Sequence, residues 1–353
     1  MVTGMYVEYV NARVHGMSSR LLNTHGFERL IAQPSLDGLI EELEKTPYRE
    51  EIVEARILKT GINCIEYALR KNLMKTYRKI LTLVEGEKSA RYILIFLKKW
   101  DVQNIKTIIR GKNIQTPNEE ISGCLIPAGT MDETTLIELV KQPDVRAVVD
   151  LMATWEIEYA VPLTRHIGEF FEQNKTCTLE YALDAYYFES SLNELKGKRL
   201  DDLVVRDLIG TEIDIRNIKT ALTMIRDSIS ADDAAPLLLT GGKEINTESI
   251  LDLIRTKKIA DAVRLLEPTS YRFLKDVPAA VTSQGKISIL EKELDHYLIR
   301  KGASMFRGDP LSFTIVIGYL WAKLNEITNI RVIARCREAG MPDELMESEI
   351  FYV

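Results

Sequence analysis

Glu326-Ile327-Thr328-Asn329-Ile330-Arg331 decides how this chain is read, because the same phrase occurs twice earlier. The other copies are Asp101-Val102-Gln103-Asn104-Ile105-Lys106 and Asp214-Ile215-Arg216-Asn217-Ile218-Lys219. Each runs acid, two free positions, Asn, Ile, base. From Asn104 to Asn217 is 113 positions and from Asn217 to Asn329 is 112. Even spacing over such intervals marks one module written three times.

Other stretches keep the same register. Ile65-Glu66-Tyr67-Ala68-Leu69, Leu179-Glu180-Tyr181-Ala182-Leu183 and Leu290-Glu291-Lys292-Glu293-Leu294 each end 34 or 35 positions before the Asn. Upstream lie three helical pairs, each a short apolar run followed by a second one. In the first pair Phe27 to Gln33 and a Pro34 turn lead to Leu36, Leu39, Ile40 and Leu43. In the second, Leu136 to Gln142 and Pro143 lead to Val145, Val148, Val149 and Met152; in the third, Ile250 to Lys258 leads to Ile259, Ala262, Val263 and Leu266 without a proline. These steps of three and four are helical. A further amphipathic helix is expected from about Met5 to Leu22.

Gly- and Pro-bearing segments, 111–129 and 228–243, separate the copies. The expected modules are therefore 1–118, 119–233 and 234–353, with helices exchanged between neighbours. Strand signals are confined to Cys124-Leu125-Ile126 and Leu237-Leu238-Leu239, which read as short extended pieces. The fold class is all-α. A period near 113 exceeds that of two-helix solenoid units, so each module should be a small multi-helix domain.

A hydrophobic share of 46% with 28% charged residues is that of an ordinary globular chain. The 46 basic and 52 acidic residues are mixed along the sequence, and no basic stripe suited to nucleic acid emerges. The longest apolar runs, Tyr92 to Leu97 and Phe313 to Ala322, are far short of the ~20 residues a membrane helix needs. Met1 to Tyr6 has neither the basic nor the apolar region of an export signal. Cys64, Cys124, Cys177 and Cys336 form no C-x-x-C pair, and none is spaced with His15, His25, His166 or His296 as zinc ligands are. Cys64 and Cys177 stand five and six positions before matching leucines, which favours packing. Gly241-Gly242-Lys243 is followed by Glu244, so a linker turn is expected and not a phosphate loop. No metal, cofactor or catalytic residue is expected.

On a helix the acid and the Asn of each phrase share one face. Asp101, Asn104, Asp214, Asn217, Glu326 and Asn329 then have two readings. In one they are buried and cap or bridge helices of their own module, since buried polar groups find internal partners. In the other they line a central opening and face a partner. Tyr186-Tyr187-Phe188 and Tyr297, on equivalent helices, are read as core aromatics before an aromatic binding surface.

Three stretches carry a family resemblance. They are Tyr9-Val10-Asn11-Ala12-Arg13 with Met17, Ser19 and Leu21-Leu22; Leu179 to Phe188; and Gly308-Asp309-Pro310-Leu311 with Tyr319-Leu320, Lys323, Glu326-Ile327 and Asn329-Ile330-Arg331. Together they resemble the C-type stalk component of archaeal A-type and bacterial V-type ATP synthases, a relative of the eukaryotic vacuolar ATPase d component. The resemblance implies a helical funnel of three similar domains about a pseudo-threefold axis. It implies a non-catalytic rotor part at the cytoplasmic face of the cell membrane, seated on the proteolipid c-ring and facing central-stalk subunits D and F. Membrane contact would run through the ring. Asp184-Ala185-Tyr186-Tyr187 departs to Asp295-His296-Tyr297-Leu298 and Arg70-Lys71-Asn72-Leu73 in the other copies, so three identical partner contacts are not expected. The rival reading is a helical enzyme or scaffold with a ligand site where three domains meet.

Overall fold

A computed structural model describes residues 2–86, 89–173, 175–278 and 286–353; Met1, at the head of the N-terminal reading, lies outside them. Among the described residues there are 18 α-helices, three short 3-10 turns and no strand. The all-α expectation is met. No helix among them is long and apolar enough to cross a membrane.

The chain forms two compact units: 1–94 together with 299–353, and 95–298. The helix Ala90–Asn113 leads from the first unit into the second, and Ile287–Ser304 leads back. Both ends of the chain thus belong to one unit.

In the first unit the spine is Thr314–Glu338, whose first eight residues are all buried. A helix apolar on every side must be surrounded, and Val2–Ser18, Thr24–Ile31, Leu36–Leu43 and Gly61–Leu83 pack against it. The second unit contains the corresponding Leu200–Arg226, against which Thr176–Glu194, Thr247–Arg255 and Ile259–Leu265 pack, most of Ala90–Asn113, and also Glu133–Val140, Val145–Thr154 and Ala160–Gln173.

The three helical pairs fold as the apolar spacing requires, and their entries are capped alike. Asn23 accepts from Gly26 N (2.9 Å), Asp132 from Thr135 N (2.8 Å) and Asn246 from Ser249 N (2.8 Å). Each cap satisfies one of the donors that a helix start leaves open. Second helices start with Ser35 and Asp144 as caps, whereas Lys258 makes no side-chain cap. The third pair has therefore lost both the proline and the cap.

Each spine helix ends in the same way. Two residues beyond its last turn stand Gln115 (φ 57°), Ser228 (φ 57°) and Gly340 (φ 67°), all in the left-handed region. The next amide reaches back five residues in every case: Thr116 N to Gly111 O (2.8 Å), Ile229 N to Met224 O (2.9 Å) and Met341 N to Cys336 O (2.9 Å). This is the closing bond of a Schellman turn.

Some expectations are corrected. The first helix spans Val2–Ser18, because Asn23 begins another at Thr24. Gly111 lies inside a helix that continues to Asn113, and Asn118–Cys124 is also helical, so the first linker is shorter than 111–129. Cys64 is buried but Cys177 is exposed; the five- and six-residue offsets put them on different helix faces, and a packing role fits only Cys64.

Candidate functional site

All six residues singled out in the repeated phrases lie in the interior, between 0% and 4% exposed. Each Asn makes a two-way bridge to the backbone of the residue 22 positions on. Asn104 donates to Ile126 O (2.7 Å) and accepts from Ile126 N (2.8 Å). Asn217 does so with Leu239 (2.8 and 2.9 Å), and Asn329 with Phe351 (2.8 and 3.2 Å). A side-chain amide has the same donor and acceptor as a peptide, so it pairs with an extended segment as a neighbouring strand would. Of the extended pieces expected at Cys124–Ile126 and Leu237–Leu239, the last two residues of each are extended and pair with a helix side chain, whereas Cys124 closes a helix and Leu237 a 3-10 turn.

The acids, one turn earlier, hold the segment that enters the next helical pair. Asp101 accepts from Thr130 N (2.8 Å), Thr130 Oγ1 (2.7 Å) and Met131 N (3.0 Å). Asp214 accepts from Glu244 N (2.9 Å), Ile245 N (3.3 Å) and Tyr271 Oη (3.0 Å). Met131 and Ile245 directly precede the caps Asp132 and Asn246. The third acid repeats the geometry with the opposite end of the chain: Glu326 accepts from Leu22 N at 2.6 Å, and Leu22 directly precedes the cap Asn23. The N-terminal pair thus serves as the continuation of the C-terminal spine.

Electrostatics separate the three acids. Burial pushes the carboxyls of Asp101 and Asp214 above the ordinary aspartate value, opposed by their hydrogen bonds. Both receive donors that carry no charge. Glu326 instead accepts from Lys323 Nζ (2.7 Å) and from the Tyr48 hydroxyl, and Lys323 Nζ also donates to Tyr48 Oη (2.8 Å). That ammonium sits 4.3 Å from the centre of the Tyr48 ring. Burial, followed by the Glu326 charge, pushes the Tyr48 hydroxyl far up, so it stays protonated as a donor.

Tyr48, Tyr159 and Tyr271 occupy equivalent places, 2% exposed or less, and sequence reading did not identify them. Thr46-Pro47-Tyr48-Arg49 and Thr269-Ser270-Tyr271-Arg272 carried the signal in two copies; Ile157-Glu158-Tyr159 lacks the threonine. In both threonine copies the hydroxyl donates back to a helix carbonyl, Thr46 to Leu43 O (2.6 Å) and Thr269 to Leu266 O (2.7 Å). That bond fixes the turn which delivers the tyrosine.

The bases close each junction with an ion pair, Lys106 from within the core and Lys219 and Arg331 nearer the surface. Lys106 pairs with Asp184 (2.5 Å), Lys219 with Asp295 (2.6 Å) and Arg331 with Glu66 (2.8 Å). Each carboxylate lies on a longer helix further along than the held pair, Asp184 on Thr176–Glu194, Asp295 on Ile287–Ser304 and Glu66 on Gly61–Leu83, with a shorter helical element in between. Tyr187 and Phe188 are buried; Tyr186 and Tyr297 are half-buried and meet Tyr159 and Tyr271 edge-on at 5.9 and 5.7 Å. Among the described residues no group of three or more His, Cys, Asp or Glu could hold a metal ion.

One cleft of about 350 Å³ lies in the first unit, beside Glu326. Asn325, Ala322, Ala303, Leu22, Phe27 and Tyr352 are among its walls.

Residues 10–349 match the family described as "ATP synthase (C/AC39) subunit". The chain is 30% identical over 344 residues to the C subunit of the A-type ATP synthase of Archaeoglobus fulgidus, covering 97% of this chain and 95% of that one. It is 28% identical over 347 residues to the protein of the same name from Methanococcoides burtonii, with 97% and 93% covered. With that of Methanobrevibacter smithii it shares 30% over 288 residues, covering 80% and 74%.

Proposed function

The chain belongs to the ATP synthase (C/AC39) subunit family, and from that premise we propose that it is a non-catalytic rotor adaptor of an A-type or V-type ATP synthase. It joins the proteolipid c-ring to the central stalk of subunits D and F and passes torque between them as ions flow. It lies at the cytoplasmic face of the cell membrane as a peripheral component, held through the ring. Its three modules, 1–118, 119–233 and 234–353, with helices exchanged at the junctions, form a funnel about a pseudo-threefold axis.

The observation that carries this reading is the family match over residues 10–349, almost the whole chain. The junction geometry supports it physically. A torque-bearing part needs stiffness, and each spine helix is tied at three levels, by its acid, its Asn and its base, to segments far along the chain. The acid and Asn ties are buried, and buried, bonded polar ties of this kind fix one arrangement among close-packed helices. The six acid and Asn side chains have their roles in that framework, so contact with the stalk falls to other surfaces.

A pull-down of the purified chain with the c-ring and, separately, with the D–F stalk tests the proposal. Binding to both is expected, with no nucleotide turnover by the chain alone. Failure to bind either partner, or ATP hydrolysis by the isolated chain, would overturn it.

A further inference from the structure

Within the second unit, three polar side chains of the middle copy are buried without a partner. Tyr187 and Ser191 stand one turn apart on Thr176–Glu194, and Glu212 stands on Leu200–Arg226; they are 1%, 1% and 2% exposed. Tyr187 Oη, Ser191 Oγ and Glu212 Oε2 make no hydrogen bond among the described residues. The other carboxylate oxygen, Glu212 Oε1, accepts from Lys99 Nζ (2.6 Å) and Arg216 Nη2 (3.4 Å). Burial, and after it the Glu212 charge, pushes the Tyr187 hydroxyl far up, with Arg216 and Ser191 opposing, so the hydroxyl stays protonated as a donor. Burial would also raise the Glu212 carboxyl, but Lys99 and Arg216 outweigh it and hold that group below the ordinary glutamate value, as a carboxylate.

The repeats show that packing does not demand this polarity. Tyr187 is four positions after Leu183, and the same step from Leu69 and Leu294 reaches Leu73 and Leu298, both buried. Ser191 corresponds to Tyr77 and Gly302. Glu212, five positions before Asn217, corresponds to Lys99 and Leu324. The third copy thus fills these places with Leu298, Gly302 and Leu324, which carry no polar side-chain atom. A buried hydroxyl or carboxylate oxygen left unbonded is destabilising, so three together call for a common partner.

We propose that Tyr187 Oη, Ser191 Oγ and Glu212 Oε2 hold one internal water molecule, which bridges Thr176–Glu194 to Leu200–Arg226. The partner must donate to the Glu212 carboxylate and accept from the Tyr187 hydroxyl, and water does both while meeting about three groups, as buried waters do. A cation is disfavoured by Lys99 and Arg216, which already neutralise Glu212, and an anion by the carboxylate itself. The water extends an ionic network that runs from Lys99 through Glu212, Arg216 and Asp184 to Lys106. The proposal does not depend on the adaptor reading, since it follows from side-chain chemistry and from comparing the three copies.

A crystal structure of the full chain, at a resolution that orders internal solvent, tests this directly. One solvent peak is expected at about 2.6–3.2 Å from all three atoms. In the double variant Tyr187→Phe with Ser191→Ala the peak should be lost, because Glu212 alone remains to hold it. In solution, Tyr187→Phe and Ser191→Ala should each lower the folding equilibrium constant about fivefold, and the double variant should lose less than the product, since both act through one water. A native structure in which Tyr187 Oη bonds directly to Ser191 or Glu212 with no solvent between them overturns the proposal. So does a peak that persists in the double variant, or a double loss equal to the product of the single ones.

Discussion

The junctions at Asp101 and Asp214 do with uncharged donors what the junction at Glu326 does with a lysine. Where the chain is continuous, the linker presents two successive backbone amides to the aspartate. At Glu326, among the described residues, one backbone amide is supplied, Leu22 N, and Lys323 with Tyr48 takes the remaining acceptor positions. One polar framework thus serves a junction between distant stretches of sequence with a buried charge pair where the other two use a second backbone amide.

The largest expected effect follows from that pair. Lys323→Met leaves Glu326 buried without its counter-charge and should cost about 3–5 kcal/mol in denaturant unfolding. Adding Glu326→Gln should recover part of the loss, since the charge is removed but Leu22 N and Tyr48 then compete for a single carbonyl. Lys98 stands at the equivalent position three residues before Asp101. It pairs with Glu158 and Glu194, whose side chains are 38% and 36% exposed, so Lys98→Met should cost only about 0–1 kcal/mol. Equal losses for the two lysines would remove the distinction between the junctions.

The continuous junctions have their own weak point. Gly242→Val forces the linker off Asp214 and should cost about 3 kcal/mol, with a lower melting temperature and an intact helical signal. A neutral Gly242→Val would mean that the linker relaxes freely and is not held against Asp214.

These contrasts also show which parts were legible in the sequence. The acid-x-x-Asn-Ile-base register located the three spine helices, because an exact helical phase must be kept for a side chain to reach a fixed partner. The partners could not be read, since a backbone amide can belong to any residue type; nothing in Ile126, Leu239 or Phe351 announces an Asn bridge. The link from Glu326 to Leu22 was harder still, because it joins opposite ends of the chain. Tyr48 and Tyr271 could have been found from their shared Thr-x-Tyr-Arg, but Tyr159 has lost the flanking threonine. The reading of six polar residues as an opening's lining had no burial information to set against it.

The Asn bridges allow a finer comparison. Asn104→Ala and Asn217→Ala each strand both polar groups of a nearly buried backbone segment, and each should cost about 2 kcal/mol. Asn329→Ala should cost less, about 1 kcal/mol, because Asn325 Nδ2 still donates to Phe351 O at 2.7 Å. Chemical denaturation of the three variants side by side measures this; a loss at Asn329 as large as the others would show that Asn325 gives no such backup.

The smallest effect concerns the ends of the spine helices, where the three copies share a conformation but differ in residue. Gln115, Ser228 and Gly340 all stand at φ between 57° and 67°. A Cβ in that region crowds the following carbonyl, a strain that glycine avoids. Ser228→Gly should therefore stabilise the protein by about 0.5–1 kcal/mol despite the larger entropy of glycine in the unfolded chain, and Gly340→Ala should destabilise it by about 1 kcal/mol. The opposite signs matter more than the sizes. If the three ends are one recurring turn, the glycine that the third copy possesses is the residue the second would gain from, and melting curves of the two variants should move in opposite directions. Movement in the same direction would mean that the turns are held by their surroundings, and that their equivalence stops at the backbone.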